Sequence, residues 1–220
     1  KPFEFTFIDL EIKDDIAIIT LNRPEAMNAL NETVVSQLDK RFSEAEKNSD
    51  VKAVVFQGAG KAFVAGADIR YFINKIKADR IQDIIDFTRK GQELFLRIEN
   101  SKKLTIALLD GLSLGGGSEL ALACQAVIAT PAGSMGFPET GIGIYPGLGG
   151  MLRIARFGGP QLAKYYVFTG RPINAEDAKA LGIVTQLVAP SEVDSAIKNL
   201  VVEGKPAKHQ RPEIPEKLKA

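Results

Sequence analysis

The chain of 220 residues has one cysteine, one histidine and no tryptophan. A single cysteine excludes an internal disulfide framework and a Cys-based structural zinc site, and it fits a reducing, cytoplasmic setting. Cys124 itself reads as a small buried apolar residue. Excess charge is missing as well: 28 Lys and Arg nearly cancel 27 Asp and Glu, so no global basic field favours nucleic acid and no acidic excess suggests a disordered chain. No apolar run reaches the ~20 residues that a membrane span requires, and the amino terminus lacks the charged-then-apolar order of a signal peptide. A start at Lys1 instead of Met suggests a trimmed chain or an excised domain.

What is present is a 45% apolar composition, enough for the core of one large domain. Residues 5–12 and 16–21 read as a hairpin around Lys13-Asp14-Asp15. Asn31 is placed to cap a helix running to Lys47, in which Val34, Val35, Leu38, Phe42 and Ala45 recur at helical spacing. Strands are expected over 51–56, 104–109, 126–129 and 183–188. Helices are expected after Asp68, over 81–98, from the glycine triplet through Ala123, around Arg153, from Asn174 to Gly182, and over 191–202. This alternation predicts an α/β domain with parallel crossovers over 1–203. The proline- and lysine-containing stretch 204–220 has the composition of a linker or exposed tail.

Two carboxylates stand twenty positions apart, each in a glycine-rich frame: Glu119 in Gly115-Gly116-Gly117-Ser118-Glu119, and Glu139 in Phe137-Pro138-Glu139-Thr140-Gly141. Glycines let backbone approach a ligand, and a glycine run opening a helix presents free N–H groups to developing negative charge. Apolar neighbours around each acid would raise its pKa towards the acid–base range. Other motifs are weaker. Gly111-Leu112-Ser113-Leu114-Gly115 matches a nucleophile elbow, but the only histidine, His209, lies in the tail, so Ser113 reads as a small turn residue. Gly141-Ile142-Gly143 fails the dinucleotide fingerprint because Gly147 comes one position late, and no phosphate-binding Gly-x-x-x-x-Gly-Lys-Ser/Thr is present.

Taken in order, the segments 16–24, Ala29-Leu30, 62–68, 115–119, Phe137-Pro138-Glu139, 146–150, 169–173 and 175–178 resemble the crotonase superfamily, and within it the enoyl-CoA hydratases. The resemblance covers nearly the whole chain up to Pro190. It implies a crotonase-like spiral of ββα units, with the C-terminal helical region shortened, and assembly as a homotrimer or a dimer of trimers. It also implies an acyl-CoA thioester substrate, no separate metal or redox cofactor, and an oxyanion hole formed by the Ala67 and Gly116 amides. Glu139 would exchange the proton at C2, and Glu119 would activate the water that adds at C3. Coenzyme A would lie along Arg23, Ala26 and Ala29, the run Ala65, Gly66, Ala67, Asp68 and Ile69, and the neighbours Leu114, Gly115, Gly116, Pro138 and Gly147. Tyr71, Leu114, Ile142 and Tyr145 are candidates to line the acyl channel.

Phe137 and Tyr145 depart from the family pattern and bear on acyl preference. The short tail also suits a hydratase domain fused to a 3-hydroxyacyl-CoA dehydrogenase. Two alternatives to hydration stay open: a Δ3-Δ2-enoyl-CoA isomerase, and a weakly catalytic acyl-CoA-binding relative.

Overall fold

A computed structural model describes residues 5–206 of the chain, so most of the linker-like tail, with His209, lies outside the described residues. Strands β1 (Ile8–Lys13) and β2 (Ile16–Leu21) form the expected hairpin, with Asp14 at φ 57° in the turn, a left-handed conformation that aspartate tolerates. The Asn31 side chain accepts from the Val34 amide at 2.9 Å and opens helix α1 (Glu32–Lys47), which buries the five apolar residues singled out by their spacing. There follow β3 (Ala53–Gly58), β4 (Ala62–Ala65), α2 (Ile69–Lys77), α3 (Ile81–Glu99), β5 (Leu104–Leu109), β6 (Leu112–Leu114) and α4 (Gly116–Ala123). The chain continues through β7 (Ala126–Ala129), β8 (Ser134–Gly136), α5 (Gly150–Thr169), β9 (Ile173–Asn174), α6 (Ala175–Ala180), β10 (Gln186–Leu187) and α7 (Val193–Glu203).

The strands sort into two sheets, ordered β1-β2-β3-β5-β7-β10 and β4-β6-β8-β9. From β2 onward the large sheet is parallel, and β4, β6 and β8 are parallel in the small one. Three times the chain leaves the large sheet, turns within a few residues into the small one, and departs into a helix: β3-β4-α2, β5-β6-α4 and β7-β8-α5. These are the ββα units of the expected spiral. Helix α4 presses so closely on the small sheet that a Cβ at Gly117 would lie 1.9 Å from the Val64 carbonyl oxygen.

Side chains alternate across the large sheet. Val54, Phe56, Ala107, Leu109, Val127 and Ala129 join the main core with α1, α3 and α4. Ala53, Val55, Leu104, Ile106, Ala126 and Ile128 face the other way, where Ala196, Ile197 and Leu200 of α7 cover them. Each fully buried Phe, Leu or Ile contributes about 1.5–3 kcal/mol.

The structure departs from the sequence reading at several points, among them β3, which spans Ala53–Gly58 where 51–56 was expected. The small sheet was not anticipated, and Ser113 lies in β6, fully buried, instead of in a turn. The strand expected over 183–188 pairs only at Gln186 and Leu187, because the Ile183 and Val184 amides both donate to the Ala178 carbonyl and close α6. The first strand begins at Ile8, since the Phe7 amide is taken by the Gln37 side chain. Among the described residues no helix is long and apolar enough to cross a membrane.

Candidate active site

The three parallel strands of the small sheet end at one edge, the side of a parallel sheet where ligands usually bind. Their register aligns Ala65 with Leu114 and Leu114 with Gly136. Two residues beyond these partners come Ala67 and Gly116, at equivalent positions in neighbouring units. Ala67 is flanked by bonds from Leu30 N to Gly66 O (2.9 Å) and from Asp68 N to Leu30 O (2.8 Å), which leave its own N–H directed away from that bridge. Gly116 opens α4, so its amide has no acceptor within the helix. Neither amide is bonded to an acceptor among the described residues. Bringing these backbones together requires glycine at 115: its φ is +48°, and a Cβ there would sit 2.6 Å from Glu139 Oε1.

Glu139 follows β8 in a single 3-10 turn, Pro138–Ile142, that Pro138 starts. Its side chain turns inward with 8% of the residue exposed, and Oε2 is buried without a hydrogen-bond partner. Burial pushes its pKa up to about 7; its own backbone amide opposes the rise and the charge of Glu119 adds to it.

Glu119 lies one turn into α4 and is 1% exposed. Its Oε1 accepts from the amides of Leu148 and Gly150, both at 2.8 Å, and Oε2 meets no donor among the described residues. Burial raises the pKa of this group too, against the Gly150 and Leu148 amides and the Arg153 cation. The turn that supplies those amides is tied in its own right. Arg153 Nη1 donates to the Leu148 carbonyl at 2.8 Å, while Nε and Nη2 reach Glu99 Oε2 at 3.0 and 2.8 Å. Arg156 closes on the other oxygen of Glu99.

The remaining candidates divide. The loop from Arg23 to Ala29 lies against Ala65–Ala67, joined by Ala65 N to Met27 O at 2.9 Å. Buried Asn28 holds that loop, its amide nitrogen donating to the carbonyls of Ala59, Ala62 and Phe63 at 2.9, 2.9 and 3.1 Å. Arg23 is engaged within the protein: Nη1 meets Asp68 Oδ2 at 2.9 Å and the Ala29 carbonyl at 3.3 Å, with Phe7 against its guanidinium. Asp68 also caps α2 through the Arg70 amide. Ala26, Gly66 and Leu114 are half-buried near the strand ends, while Ile69 and Pro138 are exposed.

The Gly147 carbonyl accepts from Gln92 on α3 at 2.6 Å. Tyr71 packs against Phe72 and Phe87, its pKa raised to about 12 chiefly by burial, with Glu32 and Asp83 adding. Ile142 and Tyr145 are exposed. Cys124 is half-buried against the main core with its thiol pKa raised by burial. Ser113 Oγ is buried without a partner inside the sheet, no place for a nucleophile. Glu99, Leu148 and Arg153 were not among the sequence-derived site residues. The available signal was an arginine in the first turn of a glycine-opened helix.

The enoyl-CoA hydratase/isomerase family model matches residues 16–219. The chain is 39% identical over 198 residues to a short-chain-enoyl-CoA hydratase of Clostridium acetobutylicum, covering 90% of this chain and 74% of that protein. It is 38% identical over 194 residues to a crotonyl-CoA hydratase of Syntrophomonas wolfei, covering 88% and 73%. The crystal structure of an enoyl-CoA hydratase from Thermoplasma volcanium superposes with a TM-score of 0.82 at 35% identity, over 90% of this chain and 78% of that one.

Proposed function

The chain belongs to the enoyl-CoA hydratase/isomerase family, and we propose that its carboxylates and free amides add water to a 2-trans-enoyl-CoA thioester, reversibly, to give the 3-hydroxyacyl-CoA. The observation that carries this reading is two buried glutamates in unlike environments beside two unpaired N–H groups at one sheet edge. The thioester carbonyl oxygen would accept from Ala67 and Gly116. As the water oxygen bonds to C3, the double-bond electrons move through C2 onto the thioester carbonyl oxygen, and a water proton passes to Glu119. Glu139, near half-protonated at neutral pH, delivers a proton to C2 as the enolate collapses. Proton return from Glu119 to Glu139 resets the pair. Addition from one water site between both acids is syn. An oxyanion donor of this kind is worth about 10²–10³ in rate, and each acid–base group about 10²–10⁴.

The fixing of Glu119 favours hydration over double-bond isomerisation, which needs one acid. The chemistry moves no electrons to an external acceptor and requires no metal or redox cofactor. Coenzyme A would run along the Arg23–Ala29 loop and the Ala65–Ala67 turn, which lie side by side next to the Ala67 amide. Arg23 would shape that loop, its charge already matched by Asp68. A trimer or pair of trimers would draw on apolar side chains left outside on α5, among them Leu152 and Phe168. The single cysteine supports a cytoplasmic setting.

The test follows loss of conjugated enoyl-thioester absorbance with crotonyl-CoA, beside Glu119→Gln and Glu139→Gln. Hydration abolished by either substitution supports the mechanism. Faster turnover of a 3-enoyl-CoA would shift the assignment to isomerisation. Binding without turnover, indifferent to both substitutions, would leave an acyl-CoA binder.

A further inference from the structure

A cation in the first turn of a helix faces the positive end of the helix dipole, an unfavourable place that asks for a reason. Arg153 occupies such a place in α5, and it is 6% exposed. Its three contacts lead to one structure. Two nitrogens grip Glu99 on α3, and the third holds the Leu148 carbonyl. The Leu148 and Gly150 amides in turn hold Glu119 Oε1 from α4. Three helices therefore meet through a chain of charged and polar groups that ends at a carboxylate assigned to water.

We propose that Arg153, locked by Glu99, is a positioning residue that fixes the direction and charge of Glu119 for water activation, an inference that rests on the hydratase reading above. Arg153 touches neither substrate nor reacting atoms. It acts by holding the turn, so that Glu119 presents Oε2 and keeps Oε1 occupied, and by supplying positive charge behind the carboxylate. The other charges in this neighbourhood are Glu139 from the 3-10 turn, Arg156 on α5 beyond Glu99, and the Cys124 thiol at the end of α4, which also feels Arg153. Burial raises the Glu99 pKa, but Arg156 and Arg153 outweigh it and hold the group below its ordinary value, so the clamp stays ionised. Lysine cannot reproduce the device, since an ammonium lacks the planar fork that spans Glu99 and Leu148 together.

The experiment compares the full chain with Arg153→Met, Arg153→Lys and Glu99→Ala in crotonyl-CoA hydration across pH. Arg153→Met should lower kcat about 10²-fold, the scale of a small misplacement of a reacting group, with KM little changed. Its acid limb should move to higher pH, because Glu119 without the cation ionises later. Arg153→Lys should restore the acid limb better than kcat. Glu99→Ala keeps the cation and loosens its fork, so kcat should fall without an upward shift of that limb; it also serves if Arg153→Met does not fold. A folded Arg153→Met protein with wild-type kcat and acid limb would overturn the proposal. Titration of glutamate carboxyls by carbon NMR reads the same coupling without turnover. If the wild-type protein does not hydrate crotonyl-CoA, the functional reading fails; a Glu119 pKa that rises in Arg153→Met then still supports the coupling, and an unchanged one sinks it.

Discussion

Glu119 and Glu139 are the same residue type, buried in one site with both pKa values raised by that burial, yet the protein compensates them unequally. One oxygen of Glu119 receives two amides, whereas Glu139 Oε2 is enclosed without a donor. Burial that its own backbone amide offsets only in part favours the neutral acid, so Glu139 holds its proton up to a pKa of about 7 against an ordinary 4.5. Between those values the folded protein binds a proton that the unfolded chain has released, and stability falls as pH rises through the window. Below it both states are protonated; above it the cost is constant. Glu139→Gln should therefore abolish turnover while stabilising the fold at pH 8 by about 1–3 kcal/mol relative to its effect at pH 4, read from thermal unfolding at each pH. An equal effect at both pH values would mean that Glu139 is not buried as a neutral acid. Glu119→Ala should behave differently, since it strands the Leu148 and Gly150 amides: a loss of about 2–4 kcal/mol together with the loss of turnover, measured by denaturant unfolding.

At the level of elements, the site depends on how tightly α4 sits on the small sheet. Gly117→Ala would drive a methyl group into the Val64 carbonyl, so α4 must lift and carry the Gly116 amide away from Ala67. We expect about 1–3 kcal/mol of destabilisation and at least tenfold lower kcat/KM on crotonyl-CoA; unchanged kinetics in a folded variant would show that the amide pair is not needed. Asn31→Ala removes the α1 cap and should cost about 1 kcal/mol with catalysis intact, which a chemical denaturation curve and the absorbance assay decide together. The same elements mark what sequence could show. Helix α1 was legible because its apolar stripe and its cap agree. The strands of the small sheet span two to four residues, too short for any period to emerge, so 62–65 and 112–114 carry no strand signal in the sequence. Both glutamates stood out through their glycine frames, and the family resemblance supplied their roles. The Arg153–Glu99 clamp joins residues 54 positions apart, a distance over which composition and spacing are silent.

For the molecule as a whole, apolar side chains remain outside: Leu152, Phe168 and Leu96 on α5 and α3, with Ile69, Ile73 and Ile76 along α2. Leu152, 75% exposed, is the most informative of them to change. Leu152→Lys should reduce the assembled species in sedimentation velocity, whereas an unchanged distribution would place the assembly face elsewhere. The edge of the small sheet has a further consequence. The groups proposed to carry developing charge are main-chain amides, shared by every amino acid except proline, so almost no single-base change in the gene can delete them. The two groups proposed to handle protons are side chains, each written by one codon. Heredity can thus redraw what the pocket does with its intermediate at positions 119 and 139 while leaving the means of stabilising that intermediate nearly untouched.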